Sequence, residues 1–176
     1  MIKFDLDEVM KFISDSSSTS KIYIGADSER FINNGIWYAD YCVAVIIHKD
    51  GKHGCKVFGE VTRKRDFDTK INRPSIRLMN EVYLVHEMYV KLESSIGSKY
   101  CELHLDVNPS ERYGSSCVVN QAIGYIRGAC NMTPMVKPKA FAASICADRL
   151  KDNHGRIEQS HVDRQLGQRS RGQDFG

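Results

Sequence analysis

Three apolar, β-branched runs in quick succession, followed by helical patterns alternating with single strands, constrain this chain more than any other feature. Lys21 to Asp27 reads as a strand that ends in a carboxylate. Asn33-Asn34-Gly35 is a turn, and Tyr38 to His48, rich in Val and Ile, is a second strand. Lys49-Asp50-Gly51-Lys52 is a hairpin signal, after which Gly54 to Val61 returns as a third strand. Pro74 suits the first turn of a long helix to about Ser95, with Leu78, Val82, Val85, Tyr89, Leu92 and Ile96 as its apolar stripe. Cys101 to Val107 is a fourth strand, broken by Asn108-Pro109-Ser110. Ser115 to Cys130 is a second helix, Met135-Val136 a short fifth strand, and Lys139 to Lys151 a third helix. Ahead of these, Asp5 to Ser14 reads as a short capped helix.

Hairpin-linked strands followed by alternating helices and strands imply a mixed sheet, antiparallel first and parallel later. The expectation is one α/β domain over residues 1–151, with a five-stranded mixed sheet flanked by helices. Residues 152–176 are polar and Gly-rich and read as a flexible tail.

Composition narrows the function classes. Apolar residues at 41% and charged residues at 27% are an ordinary soluble mix, and no apolar run approaches the roughly 20 residues that span a bilayer. Acids at Asp5, Asp7 and Glu8 interrupt any secretory h-region, so a cytoplasmic protein is expected. The six cysteines form no CxxC and read as small core residues, which leaves no zinc site. Between Arg63 and Arg77 six basic residues face only two acids, which fits either a phosphate-contacting patch or a solvated linker.

Four carboxylates carry the chemical argument. Asp27 ends the first strand and Asp106 lies within the fourth; a buried-strand acid is costly unless it meets a cation or caps a turn. Neighbouring parallel strands would bring the two side by side, and packed like charges ask for a cation. Glu81 lies about 60° from the centre of its helix's apolar stripe, at the flank of the buried face, counting 100° per residue. Asp148 shares a helix face with Phe141, Ser144 and Ile145, as a ligand reaching back to the sheet or as a salt-bridged helix-end acid. Such convergence of acids suits Mg2+ or Mn2+, commonly two ions roughly 4 Å apart, in phosphodiester hydrolysis. Ser28 either contacts phosphate or caps the turn, and Lys137 either contacts the scissile phosphate or is a surface lysine. His104 points to the same strand face as Asp106, as a proton shuttle or a hydrogen-bonded core residue. Arg63, Lys64, Arg65 and Arg73 are the basic candidates for holding a nucleic-acid strand.

The sequence resembles the YkuK-like group of ribonuclease-H-related nucleases over about residues 20 to 150. The likeness rests on Ile24-Gly25-Ala26-Asp27-Ser28, Arg77-Leu78-Met79-Asn80-Glu81-Val82-Tyr83, His104-Leu105-Asp106-Val107-Asn108, and Lys137-Pro138-Lys139-Ala140-Phe141-Ala142-Ala143-Ser144 running to Ala147-Asp148. One departure is Ala26, where that group tends to carry Thr. The resemblance implies a ribonuclease H-like fold, metal ligation by Asp27, Glu81, Asp106 and Asp148, and products with 5′-phosphate and 3′-hydroxyl ends. Two other functions remain open: a non-catalytic binding module for nucleic acid or protein, and a small-nucleotide phosphohydrolase, although no GxxxxGK[ST] loop is present.

Overall fold

A computed structural model describes residues 4–50, 54–70 and 72–146 of the chain. The elements run α1 (Leu6–Ser14), β1 (Lys21–Asn33), β2 (Ile36–His48), β3 (Cys55–Arg65), α2 (Ser75–Ile96), β4 (Tyr100–Leu105), a 3-10 turn (Gly114–Val118), α3 (Val119–Cys130) and β5 (Met135–Val136). Residues 142–146 are helical, and the remainder of the expected last helix, with Asp148, lies outside the described residues.

One five-stranded sheet has the order β3-β2-β1-β4-β5. The β1–β2 and β2–β3 pairs are antiparallel, and β1–β4 and β4–β5 are parallel. This is the mixed sheet expected from the sequence. Asn34 and Gly35 both take positive φ, at 49° and 75°, so the β1–β2 turn has the paired left-handed geometry that matches strand twist.

Alternation divides the sheet into two faces. Ile22, Ile24 and Ala26 of β1, with Val43, Val45 and Ile47 of β2, pack into the main core against α1, α2 and α3. Each fully buried aliphatic side chain there contributes roughly 1.5–3 kcal/mol relative to exposure. Tyr23, Gly25 and Asp27 point the other way, toward residues 141–146. Gly25 is dictated by that approach, because a Cβ at this position would stand 2.7 Å from the Ala142 Cβ.

Several boundaries differ from the sequence reading for identifiable reasons. β1 does not stop at Asp27 but runs on to Asn33, because residues 28–33 pair across the hairpin with 36–41. β3 continues past Val61 to Arg65, so Arg63, Lys64 and Arg65 belong to a strand rather than to a linker. The helix expected from Ser115 begins as a 3-10 turn and becomes α-helical only at Val119. Of the six cysteines, only Cys42 and Cys146 are buried, whereas Cys55 and Cys117 are exposed, so the all-core reading fails for these two. No helix among the described residues is long and apolar enough to cross a membrane.

Candidate active site

The parallel ladders end together. Ala26 pairs with Leu105, and Leu105 with Val136, so Asp27, Asp106 and Lys137 each lie one residue past the last paired level of β1, β4 and β5. The Lys137 amide donates to the Val107 carbonyl at 3.1 Å and so continues the ladder. Paired residues of parallel strands present side chains to one face, so this row follows from register rather than from a loop's shape. It stands at the carboxyl ends of the parallel strands, where open α/β sheets bind ligands.

Asp106 is flanked by Asp27 on one side and Lys137 on the other. Lys137 Nζ lies 2.8 Å from Asp106 Oδ1 and 3.0 Å from Oδ2, and so covers both carboxylate oxygens. Asp27 accepts the Ser28 amide at 2.8 Å. Burial first, and then the Asp106 charge, raise the Asp27 carboxyl to about 6, against the pull of the Ser28 amide, Lys137 and Arg77.

Glu81 reaches the same edge from α2, on the opposite face. It is buried, 3% exposed, rather than at the flank of the helix's apolar stripe. Tyr89, expected in that stripe, is only half-buried, and Met88 takes its place. The Ser28 hydroxyl donates to Glu81 Oε1. Arg77 Nη1 donates to the same hydroxyl at 2.8 Å and to the Ser28 carbonyl at 2.9 Å, and stands 3.8 Å from Glu81 Oε1. Glu81 Oε2 is buried and has no hydrogen-bond partner among the described residues. Burial, followed by the Asp27 charge, holds the Glu81 carboxyl well above the usual carboxylate range.

The N-terminus of α2 fixes where Arg77 and Glu81 stand. Asp68 accepts the Ile76 amide at 3.1 Å and the Arg77 amide at 2.6 Å, although Pro74, at the cap position, offers no side-chain acceptor. Asp66 accepts the Asp68 amide at 2.9 Å, and Arg30 pairs with Asp66 at 2.7 Å and donates to the Asp68 carbonyl at 2.9 Å. The sequence marks Arg77 only as part of the basic segment, not as a partner of Ser28 and Glu81, and the Arg30–Asp66–Asp68 network does not stand out as part of a site. The available signals are the four-residue spacing of Arg77 and Glu81 and an Asp several residues ahead of the helix.

The structure treats the other candidates unevenly. Ser28 is buried, and its hydroxyl is engaged with Glu81 and Arg77. Arg63 shares the Asp27 face through the Asp40 register; it pairs with Asp40 through two bonds of 2.7 and 2.8 Å and lies over Phe31. Lys64 points to the opposite face, toward the Tyr41 ring; Arg65 lies over Phe67, and Arg73 is exposed just before α2. His104 is fully buried, with Nδ1 accepting the Ala142 amide at 3.2 Å and Nε2 facing Glu102 at 3.1 Å. Burial lowers its pKa despite Glu102, so the ring is neutral near pH 7. With both nitrogens engaged and no exposure, His104 ties β4 to the 142–146 segment; a proton shuttle would need a route to solvent.

The donor set is all carboxylate oxygen, which suits a hard divalent cation rather than zinc. Among the described residues Glu81 Oε2 and Asp66 Oδ2 are the buried carboxylate oxygens without a hydrogen bond; Arg30 stands 2.7 Å from the latter, so burial asks for an ion at Glu81. Among the described residues, however, no three or more His, Cys, Asp or Glu side chains are gathered into a ready metal cage. The contacts account for this: Asp106 turns to Lys137, and Glu81 Oε1 turns to Ser28 and Arg77.

The sequence profile of the ribonuclease H-like family matches residues 6–152. No curated protein and no solved structure matches. A match from the first helix through every strand of this mixed sheet shows that the chain belongs to the ribonuclease H-like family.

Proposed function

We propose that the chain is a metal-dependent nuclease that hydrolyses nucleic-acid phosphodiester bonds at the Asp27–Asp106 edge. The observation that supports the reading is that register sets Asp27 and Asp106 level at the end of the parallel strands, with a buried, unpartnered Glu81 oxygen whose carboxyl feels both charges. Asp27, Glu81 and Asp106 would hold Mg2+ or Mn2+, with Asp148 as the fourth ligand; the sequence alone argued for two ions. A bound divalent ion supplies Lewis acidity for phosphoryl chemistry. The protein's own groups do the rest. Ser28 and Arg77 hold Glu81 in place through its Oε1, leaving Oε2 for the ion. Arg65 puts positive charge on the face that bears Asp27, and Lys137 and Arg63, although paired with Asp106 and Asp40, offer donors on the same face, where a phosphate backbone would pass. Lys64 and Arg73 would add contacts at the rim.

A binding module without turnover is the second reading, favoured by the neutralisation of Asp106 by Lys137. Labelled single-stranded, duplex, hybrid and junction substrates incubated in Mn2+ separate the two. The nuclease reading expects cleavage to 5′-phosphate and 3′-hydroxyl ends that stops in chelator and in Asp106→Asn. Binding that persists in chelator with no cleavage of any substrate would replace it with the binding module.

A further inference from the structure

We propose that Lys137 is a built-in cation of the site: its ammonium takes the place of one divalent ion at Asp106, so that the chain binds a single ion, at Asp27 and Glu81. The inference rests on the hydrolytic reading above and revises its ion count and ligand set, since Asp106 is held by Lys137 in place of an ion.

Register puts Lys137 there. The ladder that pairs Leu105 with Val136 delivers the next residue of each strand, Asp106 and Lys137, to the same level and face. The backbone on both sides is pinned, by the Lys137 amide on Val107 at 3.1 Å and the Lys139 amide on Val136 at 3.0 Å. The side chain then spans to Asp106 and contacts both oxygens at 2.8 and 3.0 Å. A carboxylate with both oxygens on an ammonium has its charge offset and is a weaker metal ligand, and a dication brought to it would face the ammonium at close range. Among the described residues no cation covers both oxygens of Asp27 or of Glu81 in this way, although Lys137 and Arg77 both act on Asp27. Arg77, the nearest one, engages Glu81 only through Oε1 at 3.8 Å and spends its hydrogen bonds on Ser28. Glu81 Oε2 stays buried and unpartnered, and the Glu81 carboxyl feels the Asp27 charge. One end of the acid row is therefore neutralised by the chain itself, and the other is left for a metal. That split also accounts for the absence of a three-acid cage among the described residues.

Manganese titration of the full chain tests this, by calorimetry and by electron paramagnetic resonance of free Mn2+. The expected result is one ion per parent chain and two for Lys137→Met, in which the ammonium is gone and Asp106 is released. Lys137→Gln serves as a second variant with the same expectation, and both are checked for parent-like circular dichroism. Adding Asp106→Asn to Lys137→Met should return the count to one. The parent's cleavage rate should rise with first-order dependence on Mn2+ below saturation. Two ions on a parent that cleaves nucleic acid would overturn the proposal and leave the nuclease reading intact. Both Lys137 variants folding and still binding one ion would also overturn it. A parent that binds no ion and cleaves nothing would overturn both.

Discussion

Asp27→Asn should make the metal-free protein more stable at pH 8, which is the reverse of what altering a polar group in a folded domain usually does. The Asp27 carboxyl is raised from 3.8 to about 6 by burial and by Asp106. An acid with a raised folded-state value costs nothing while protonated in both states. Its penalty grows as pH climbs from the unfolded value of 3.8 through about 6 and is complete above that. A rise of roughly two pH units, at about 1.4 kcal/mol for each, sets the ceiling near 3 kcal/mol, and partial solvent access lowers this to about 2 kcal/mol. For a domain of this size, about 2 kcal/mol corresponds to a Tm change of roughly 4–8 °C. The amide side chain introduced by Asp27→Asn retains an oxygen for the Ser28 amide, which Asp27 accepts at 2.8 Å, so the change isolates the charge. Thermal melts of parent and variant in chelator at pH 8 and pH 4 are the assay. The variant should melt several degrees higher at pH 8, with the difference largely gone at pH 4. A parent that melts at or above the variant at pH 8 would refute the picture of a congested, uncompensated acid row.

Other substitutions probe the parts that position this row. Asp68→Ala removes the acceptor for the Ile76 and Arg77 amides and should cost about 1–2 kcal/mol in urea unfolding, with cleavage reduced because α2 carries Arg77 and Glu81. Gly25→Ala forces a Cβ to within 2.7 Å of the Ala142 Cβ and about 3.0 Å of its backbone, and should destabilise the domain by roughly 1–3 kcal/mol on denaturant titration.

Much of this arrangement was readable from the chain itself. Asp27 after Ile24-Gly25-Ala26, Asp106 after Leu103-His104-Leu105 and Lys137 after Met135-Val136 are each an ionisable residue at the end of an apolar strand run, and register brings them level. What escaped was long-range pairing. Ser28-Glu29-Arg30-Phe31-Ile32-Asn33 lies past the expected strand end at Asp27, yet it is strand because β2 supplies partners, with Arg30 held by Asp66 and stacked on Trp37 at 4.0 Å. The charged run Arg63-Lys64-Arg65 is strand for the same reason, with Asp40 opposite Arg63. Glu81 is buried because the Ser28 hydroxyl of β1 donates to it, a bond no helical wheel contains, with Arg77 four residues earlier standing 3.8 Å away. His104 followed its ordinary role as a hydrogen-bonded core residue, which strand periodicity alone could not separate from a catalytic one.

The central claim is that the acids at this edge act together on phosphodiesters through a divalent ion. Its most direct test is the single-turnover cleavage rate in Mn2+ of the parent and of Asp27→Asn, the variant expected to be the better folded of the two without metal. The account predicts a loss of at least about 1000-fold on removing this one charge, roughly 4 kcal/mol of transition-state stabilisation. Cleavage by Asp27→Asn at the parent's rate would contradict it and place the chemistry away from the acid row.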